Sequence, residues 1–346
     1  MRQFPSTLAV YVSTQCDSRC GYCYVAVRQS PSASLSFPRL RAGLDYFLAH
    51  APRPPRIFFL GGEPLLHYTL LRKAIEHIRR TVGRNAALSL FTNGTHLDRA
   101  RDLFFKSHDV DIVFHLRAPA GTIAPGQAHV RAGAAANLVF SPRTLATLLS
   151  RIDHTYKAGF KKITIVPDTT ALWAKQDITD LSSVLNDFQA YYRGLLQAGA
   201  GFEIGNIYQA LKPPSPSASR CYLLVLAPDG RFYPCDKLLG LPLSRLRRQS
   251  IGSPSKGLDL GARDHYLAAA ASAINAAIGP RADTPYCLIG AYTRWQYGLA
   301  KRPPIKDMKV WLSGFADIST CLWHFWRNLT GECARHPTFK KLHHFS

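Results

Sequence analysis

Glutamate is scarce in this chain, with four among 346 residues: Glu63, Glu76, Glu203 and Glu332. Acidic residues total 22 against 43 Lys and Arg, a formal net charge of +21. That balance excludes an acidic, solvating chain and favours acidic or polyanionic partners. The basic residues fall in short groups, such as Arg79, Arg80 and Arg84, with no long run, as on a solvated basic surface. Long apolar runs are also missing. The longest, Leu267 to Ile278, is alanine-rich and falls short of the ~18 residues of a spanning helix. Met1 to Ser6 lacks the charged, apolar, small-residue layout of a signal peptide. Eight cysteines are too few for a disulfide scaffold of this length, and their spacing argues for metal in a reducing cytoplasm. What remains, 47% hydrophobic and 19% charged residues, is the composition of a folded chain of about two domains.

Up to Leu211 the patterns alternate between strand and helix. Leu8 to Ser13, Arg56 to Leu60, Ala87 to Thr92, Asp111 to Leu116, Leu138 to Ser141 and Ile163 to Val166 read as strands. Pro38 to His50, Leu70 to Val82, Asp98 to Lys106, Arg143 to Ala158 and Leu181 to Leu196 carry helical spacing. Six such βα units predict an incomplete barrel or an open doubly wound sheet, with the chemistry at the C-terminal ends of the strands. Arg117 to Ala136, rich in Gly, Ala and Pro, reads as a loop in place of a helix. Residues 212–217, Lys-Pro-Pro-Ser-Pro-Ser, form a stiff linker between a domain over 1–211 and a smaller α+β domain over 218–346. In the latter, Pro228-Asp229-Gly230 predicts a β-hairpin between Leu223 to Leu226 and Arg231 to Tyr233. Trp323, Phe325 and Trp326 read as a core patch, and His343 and His344 as an exposed tail.

The strongest signal follows the first strand: Cys16, Cys20 and Cys23 in a C-x3-C-x2-C triplet. Three thiolates on one loop suit an iron–sulfur cube with its fourth iron open. Zinc is the competitor, but its sites usually pair cysteines two by two.

This triplet, with Gly61-Gly62-Glu63-Pro64 after the second strand, Thr92-Asn93-Gly94 after the third and Tyr22 before the last cysteine, resembles the radical S-adenosylmethionine (radical SAM) enzymes. The resemblance implies a partial (β/α)6 TIM-type barrel, a [4Fe–4S] cluster and S-adenosylmethionine cleaved to a 5′-deoxyadenosyl radical that abstracts hydrogen. It implies that Glu63 accepts from the cofactor's ammonium group, that Gly61, Gly62 and Pro64 shape the methionine site, and that Tyr22 lies beside adenine. Thr92 and Asn93 belong to the same cofactor site. The fourth strand departs from the family's common Ser-Leu-Asp-Gly ending and reads His115-Leu116-Arg117-Ala118. Arg117 would then pair with the methionine carboxylate, His115 face the site and Asn137 contact ribose.

Cys221 and Cys235 frame the hairpin and resemble the opening of a SPASM or twitch domain, which holds auxiliary iron–sulfur clusters. Cys287 supplies a third ligand for one auxiliary cluster, with Cys321 or Cys333 as fourth or that position open. Asp236, beside Cys235, resembles a carboxylate of the anaerobic sulfatase maturases and is expected as a general base or substrate-positioning group. The resemblance favours a peptide or protein substrate, to be cross-linked, oxidised or epimerised. It also implies a one-electron donor such as flavodoxin or ferredoxin, and either a separate peptide-recognition protein or direct binding of the peptide. A nucleotide, RNA or small-molecule substrate is the alternative; a non-catalytic metal-binding module is the distant one.

Overall fold

The computed structural model describes residues 3–25, 33–116, 134–207, 221–279, 287–297 and 308–344. Short apolar runs form β1 (Thr7–Tyr11), β2 (Arg56–Leu60), β3 (Ala87–Thr92), β4 (Val110–Leu116), β5 (Ala135–Phe140) and β6 (Lys162–Pro167), with a two-residue β7 (Glu203–Ile204). These strands are parallel neighbours in chain order. Between them run α1 (Phe37–His50), α2 (Tyr68–Val82), α3 (Arg99–Ser107), α4 (Leu148–Lys157) and α5 (Lys175–Gln197). α2 buries Leu71, Ala74, Ile75 and Ile78, one face of a 3.6-residue period. The helix expected over Arg143 to Ala158 is two pieces. A 3-10 turn, Pro142–Thr147, opens on Pro142 and a reciprocal Ser141–Thr144 cap, and only then does α4 begin.

Burial alternates along β3, β5 and β6, with period two. One side chain set, Leu88, Leu90, Leu138 and Ile165 among them, is buried in the core. The other set, half-buried, includes Phe91, His115, Asn137, Val139 and Val166. The register His115↔Asn137↔Thr164 sets these residues side by side, level with the C-terminal end of β4.

The C-terminal segment continues the same sheet. β8 (Leu223–Leu226) pairs parallel with β1, from Thr7↔Leu223 to Val10↔Leu226. β9 (Phe232–Tyr233) turns back on β8 through Asp229 and Gly230, as expected, and β10 (Gly252–Ser253) and β11 (Gly257–Leu258) follow antiparallel. The strand order β11-β10-β9-β8-β1-β2-β3-β4-β5-β6-β7 has two free ends, so this barrel is open. The linker at 212–217 and Arg117 lie outside the described residues, as does most of the loop expected over Arg117 to Ala136.

The remaining helices are α6 (Leu243–Arg247), α7 (Leu260–Ile278), α8 (Leu288–Gln296), α9 (Met308–Cys333) and α10 (Pro337–His343). α9 packs on α5, α7 and α8. Its Trp326, 1% exposed, meets Phe188 of α5 edge-on at 5.7 Å. His343 is not exposed as expected. α10 turns it inward, 1% exposed, with its ring 4.4 Å from Phe339 and Nε2 3.2 Å from the Tyr192 hydroxyl. Among the described residues, no helix is long and apolar enough to cross a membrane.

Candidate active site

The loop carrying Cys16, Cys20 and Cys23 leaves the end of β1 and is fastened from β2 and β3. At the β2 end, Gly62 N–H donates to Ser13 O at 2.8 Å and Glu63 N–H to Gln15 O at 2.7 Å. A Cβ on Gly62 would stand 1.9 Å from Gln15 O, and one on Gly61, at φ +153°, 2.6 Å from Ser13 O. The paired glycines therefore let strand end and cluster loop touch backbone to backbone. At the β3 end, the Asn93 amide donates to Asp17 Oδ1 at 2.8 Å and Ser18 Oγ at 2.7 Å. His96 Nε2 lies 3.2 Å from Asp17 Oδ2. Within the loop, Ser18 N–H donates to Cys16 Sγ at 3.3 Å. Burial pushes the Cys16 thiol up to about 11, so at neutral pH it ionises only with a metal to accept its charge.

Glu63 is 1% exposed. Its Oε1 accepts from Thr92 Oγ1 at 2.6 Å and Leu65 N at 3.0 Å, and its Oε2 from Asn93 N at 2.9 Å. Burial raises its pKa, and these donors partly offset the shift. Pro64 is buried at the start of a 3-10 turn behind it.

Cys16, Cys20, Cys23, Tyr22, Gly61, Gly62, Glu63, Thr92, Asn93, His115 and Asn137 all line one cavity of ≈ 300 Å³. Asn137 Nδ2 lies 3.4 Å from His115 Nε2. Burial, and then the charge of Lys237, lower His115 to about 4, so its ring is neutral. The donor set fits the implied cofactor. Three thiols stand beside a buried carboxylate, with a neutral imidazole and an amide on the wall formed by β4 and β5. Among the described residues no three His, Cys, Asp or Glu side chains are grouped to hold a single metal ion, as zinc requires. Thiols bound to different irons of a cube need no such common point.

A second group of thiols adjoins this cavity. Cys235 is buried, and burial, then Asp236 and Cys287, push its thiol well up. Cys287, the exposed member of the group, is shifted upward as well, by desolvation of its thiol first and with Cys221 contributing. The fold thus brings Cys221, Cys235 and Cys287 within electrostatic reach of one another. Cys321 and Cys333 lie elsewhere, on α9: Cys321 Sγ is 3.6 Å from Ser182 Oγ of α5, and Cys333 is buried where it influences Tyr192.

Asp236 does not line the cavity. Its Oδ2 accepts from Tyr24 at 2.8 Å, Lys237 at 2.9 Å and Tyr11 at 3.2 Å. Burial alone would raise its carboxyl, but Lys237 and the two hydroxyls outweigh burial and hold it below the usual range. Tyr11, Tyr24 and Lys237 do line the cavity, Lys237 Nζ standing 3.6 Å over the Tyr24 ring. Arg294 of α8, 1% exposed, also lines it. Nothing in local sequence marks Arg294, which reaches the site from the far end of the chain. Tyr24 and Lys237 had a weak signal, each standing one or two residues from a candidate cysteine. Asp17 lies inside the triplet itself.

Residues 10–118 match the model of the Radical SAM superfamily. The segment is a radical SAM domain, carrying all three loop cysteines, Glu63, Thr92 and Asn93. Among solved structures, histidine-tagged anSMEcpe with bound AdoMet superposes over 95% of this chain and 99% of its own, at 15% identity and TM-score 0.68. Native anSMEcpe with bound AdoMet and Cp18Cys peptide matches over 75% and 81%, at 17% identity and TM-score 0.61. Streptococcus suis SuiB bound to precursor peptide SuiA matches over 69% and 61%, at 15% identity and TM-score 0.53. Identities this low show a shared fold alone. No curated protein matches the chain.

Proposed function

We propose that this chain is a radical SAM enzyme and that it modifies a peptide or protein, by cross-linking, oxidation or epimerisation. The observation that carries the reading is the shared cavity. The loop cysteines, Glu63 and Asn93 line it together with Lys237 and Arg294 from the C-terminal segment. Solved structures of this fold hold peptides, Cp18Cys on anSMEcpe and SuiA on SuiB.

When bound, the cluster and S-adenosylmethionine supply a 5′-deoxyadenosyl radical. In this proposal Cys16, Cys20 and Cys23 hold the cluster, and Glu63 accepts from the cofactor's ammonium group with its remaining lone pairs. Tyr22 lies beside adenine, and Asn137 reaches ribose. His115, neutral, offers Asn137 a hydrogen-bond partner and carries no charge into the site. Cys221, Cys235 and Cys287 hold an auxiliary cluster, and Asp236 is a positioning residue that fixes Lys237 and Tyr24. A base is expected to face its substrate, whereas Asp236 does not line the cavity, its Oδ2 takes three donors and its Oδ1 lies 3.9 Å from Cys235 Sγ. Electrons come from a flavodoxin- or ferredoxin-like donor in a reducing cytoplasm, and a separate recognition protein presents the substrate.

The test is anaerobic reconstitution, then dithionite, S-adenosylmethionine and peptides encoded beside the gene. One peptide should raise 5′-deoxyadenosine release and change mass, and Cys20→Ala should abolish both. If RNA raises the release and no peptide changes mass, the reading fails.

A further inference from the structure

Arg294 is a buried cation whose bonding is unfinished. It is 1% exposed on α8 and faces the cavity. Its Nη1 donates to Thr169 Oγ1 at 3.2 Å, and its guanidinium stands 5.7 Å from the centre of the Tyr24 ring. Among the described residues its Nε and Nη2 are buried with no hydrogen-bond partner. No carboxylate among them forms an ion pair with it; Asp168 is its strongest negative influence, followed by Tyr24, Asp236 and Cys23. A guanidinium presents five donors in a planar fork suited to a carboxylate. Burying one with donors idle is unfavourable unless something fills them. Lys237, another cation lining the cavity, is already engaged by Asp236. Glu63 lines the same cavity and is held by Thr92, Leu65 and Asn93.

We propose that Arg294 binds a carboxylate of the substrate, an acidic side chain or a C-terminal carboxylate, and so selects acidic substrates. The inference rests on the peptide reading above, and its argument is placement. Arg294 comes from the C-terminal segment and reaches Thr169 beyond β6 and Tyr24 beyond β1. It lines the cavity but is not one of the residues, Thr92, Leu65 and Asn93, that hold Glu63, and its idle donors are open to a second molecule there. A chain of formal charge +21 attracts such a molecule over a longer range.

The experiment uses the reconstituted full chain, with Arg294→Gln, Arg294→Lys and Arg294→Met. The probes are S-adenosylmethionine, a pool of synthetic acidic peptides, the same pool with every carboxylate amidated, and glutarate. The unmodified protein should bind the acidic pool about tenfold or more tightly than the amidated one. Arg294→Gln should abolish that preference and Arg294→Lys retain part of it, while affinity for S-adenosylmethionine changes less than about twofold. Arg294→Met should raise the melting temperature of the ligand-free protein, because it removes an unpaired buried charge; a merely structural arginine would lower it. Stabilisation by glutarate, lost in Arg294→Gln when neither pool binds, would keep the carboxylate site and overturn the peptide reading. The proposal itself is overturned if Arg294→Gln keeps the acidic preference, or if neither peptide pool nor glutarate binds. It is equally overturned if the affinity lost is that for S-adenosylmethionine, since the guanidinium would then hold the cofactor's carboxylate.

Discussion

Asn93 ties three pieces of chain together with one side chain and one amide. Its Nδ2 holds Asp17 and Ser18 of the cluster loop, and its backbone N–H holds Glu63. Each such bond contributes about 0.5–1.5 kcal/mol, more where a carboxylate accepts. Asn93→Ala should leave β3 intact and loosen the loop. Iron retained after gel filtration should fall, and Asn93→Asp should retain still less, because it sets a carboxylate against Asp17. Iron retention equal to the unmodified protein's in both variants would show that the loop is held by other contacts. His343 gives a pH dependence of known sign. Burial first, then Lys162 and His344, lower it from 6.5 to about 4. The unfolded chain therefore binds its proton more readily. Stability is full above the unfolded value near 6.5 and falls as pH drops toward 4, by at most about 3 kcal/mol from this group. His343→Gln should flatten the slope of unfolding free energy against pH in that window, even where it lowers stability at neutral pH. An unchanged slope would assign the acid sensitivity elsewhere.

At the scale of elements, close approach decides which glycines matter. Gly314 lies within α9, where an added Cβ would stand 2.2 Å from Trp173 O. Gly194, in α5, is exposed and has nothing within 4 Å of that position. Helix propensity alone would favour alanine at either site by about 1 kcal/mol. Gly194→Ala should therefore raise the urea midpoint. Gly314→Ala should lower it, because displacing a backbone carbonyl costs about 1–3 kcal/mol. Midpoints moving in the same direction would mean that α9 gives way freely. The same distinction explains what the sequence made legible. β1 to β6 are readable because each is a compact apolar run before a turn, and α2 because its apolar residues repeat every 3.6. β7 has two residues, too few for any period. The pairing of β8 with β1 joins residues more than 200 positions apart, and no local pattern encodes it. In the site, the cysteine loop, Gly61 to Glu63 and Thr92-Asn93 are contiguous motifs and could be read. Arg294 could not, because only the docking of α8 brings it to Tyr24 and Thr169.

For the whole molecule, the eight cysteines fall into three places. Cys16, Cys20 and Cys23 line the cavity with Glu63. Cys221, Cys235 and Cys287 influence one another beside Lys237. Cys321 and Cys333 lie on α9, near Ser182 and Tyr192 of α5. If each trio holds one cube, reconstituted protein should carry about eight irons, four per cluster. Replacing Cys16, Cys20 and Cys23 together by alanine should leave about four irons and no binding of S-adenosylmethionine. Replacing Cys221, Cys235 and Cys287 should also leave about four, but with S-adenosylmethionine binding intact, because Glu63 and the first loop are untouched. The third pair separates this arrangement from its rival. Cys321→Ala with Cys333→Ala removes one half-buried and one buried small group and no ligand, so iron should stay near about eight while melting temperature falls slightly. A drop to about four would mean that α9 swings a thiol into the second site on cluster binding. That swing would break the packing of α9 on α5 and would appear as lost protection of α9 amides from exchange.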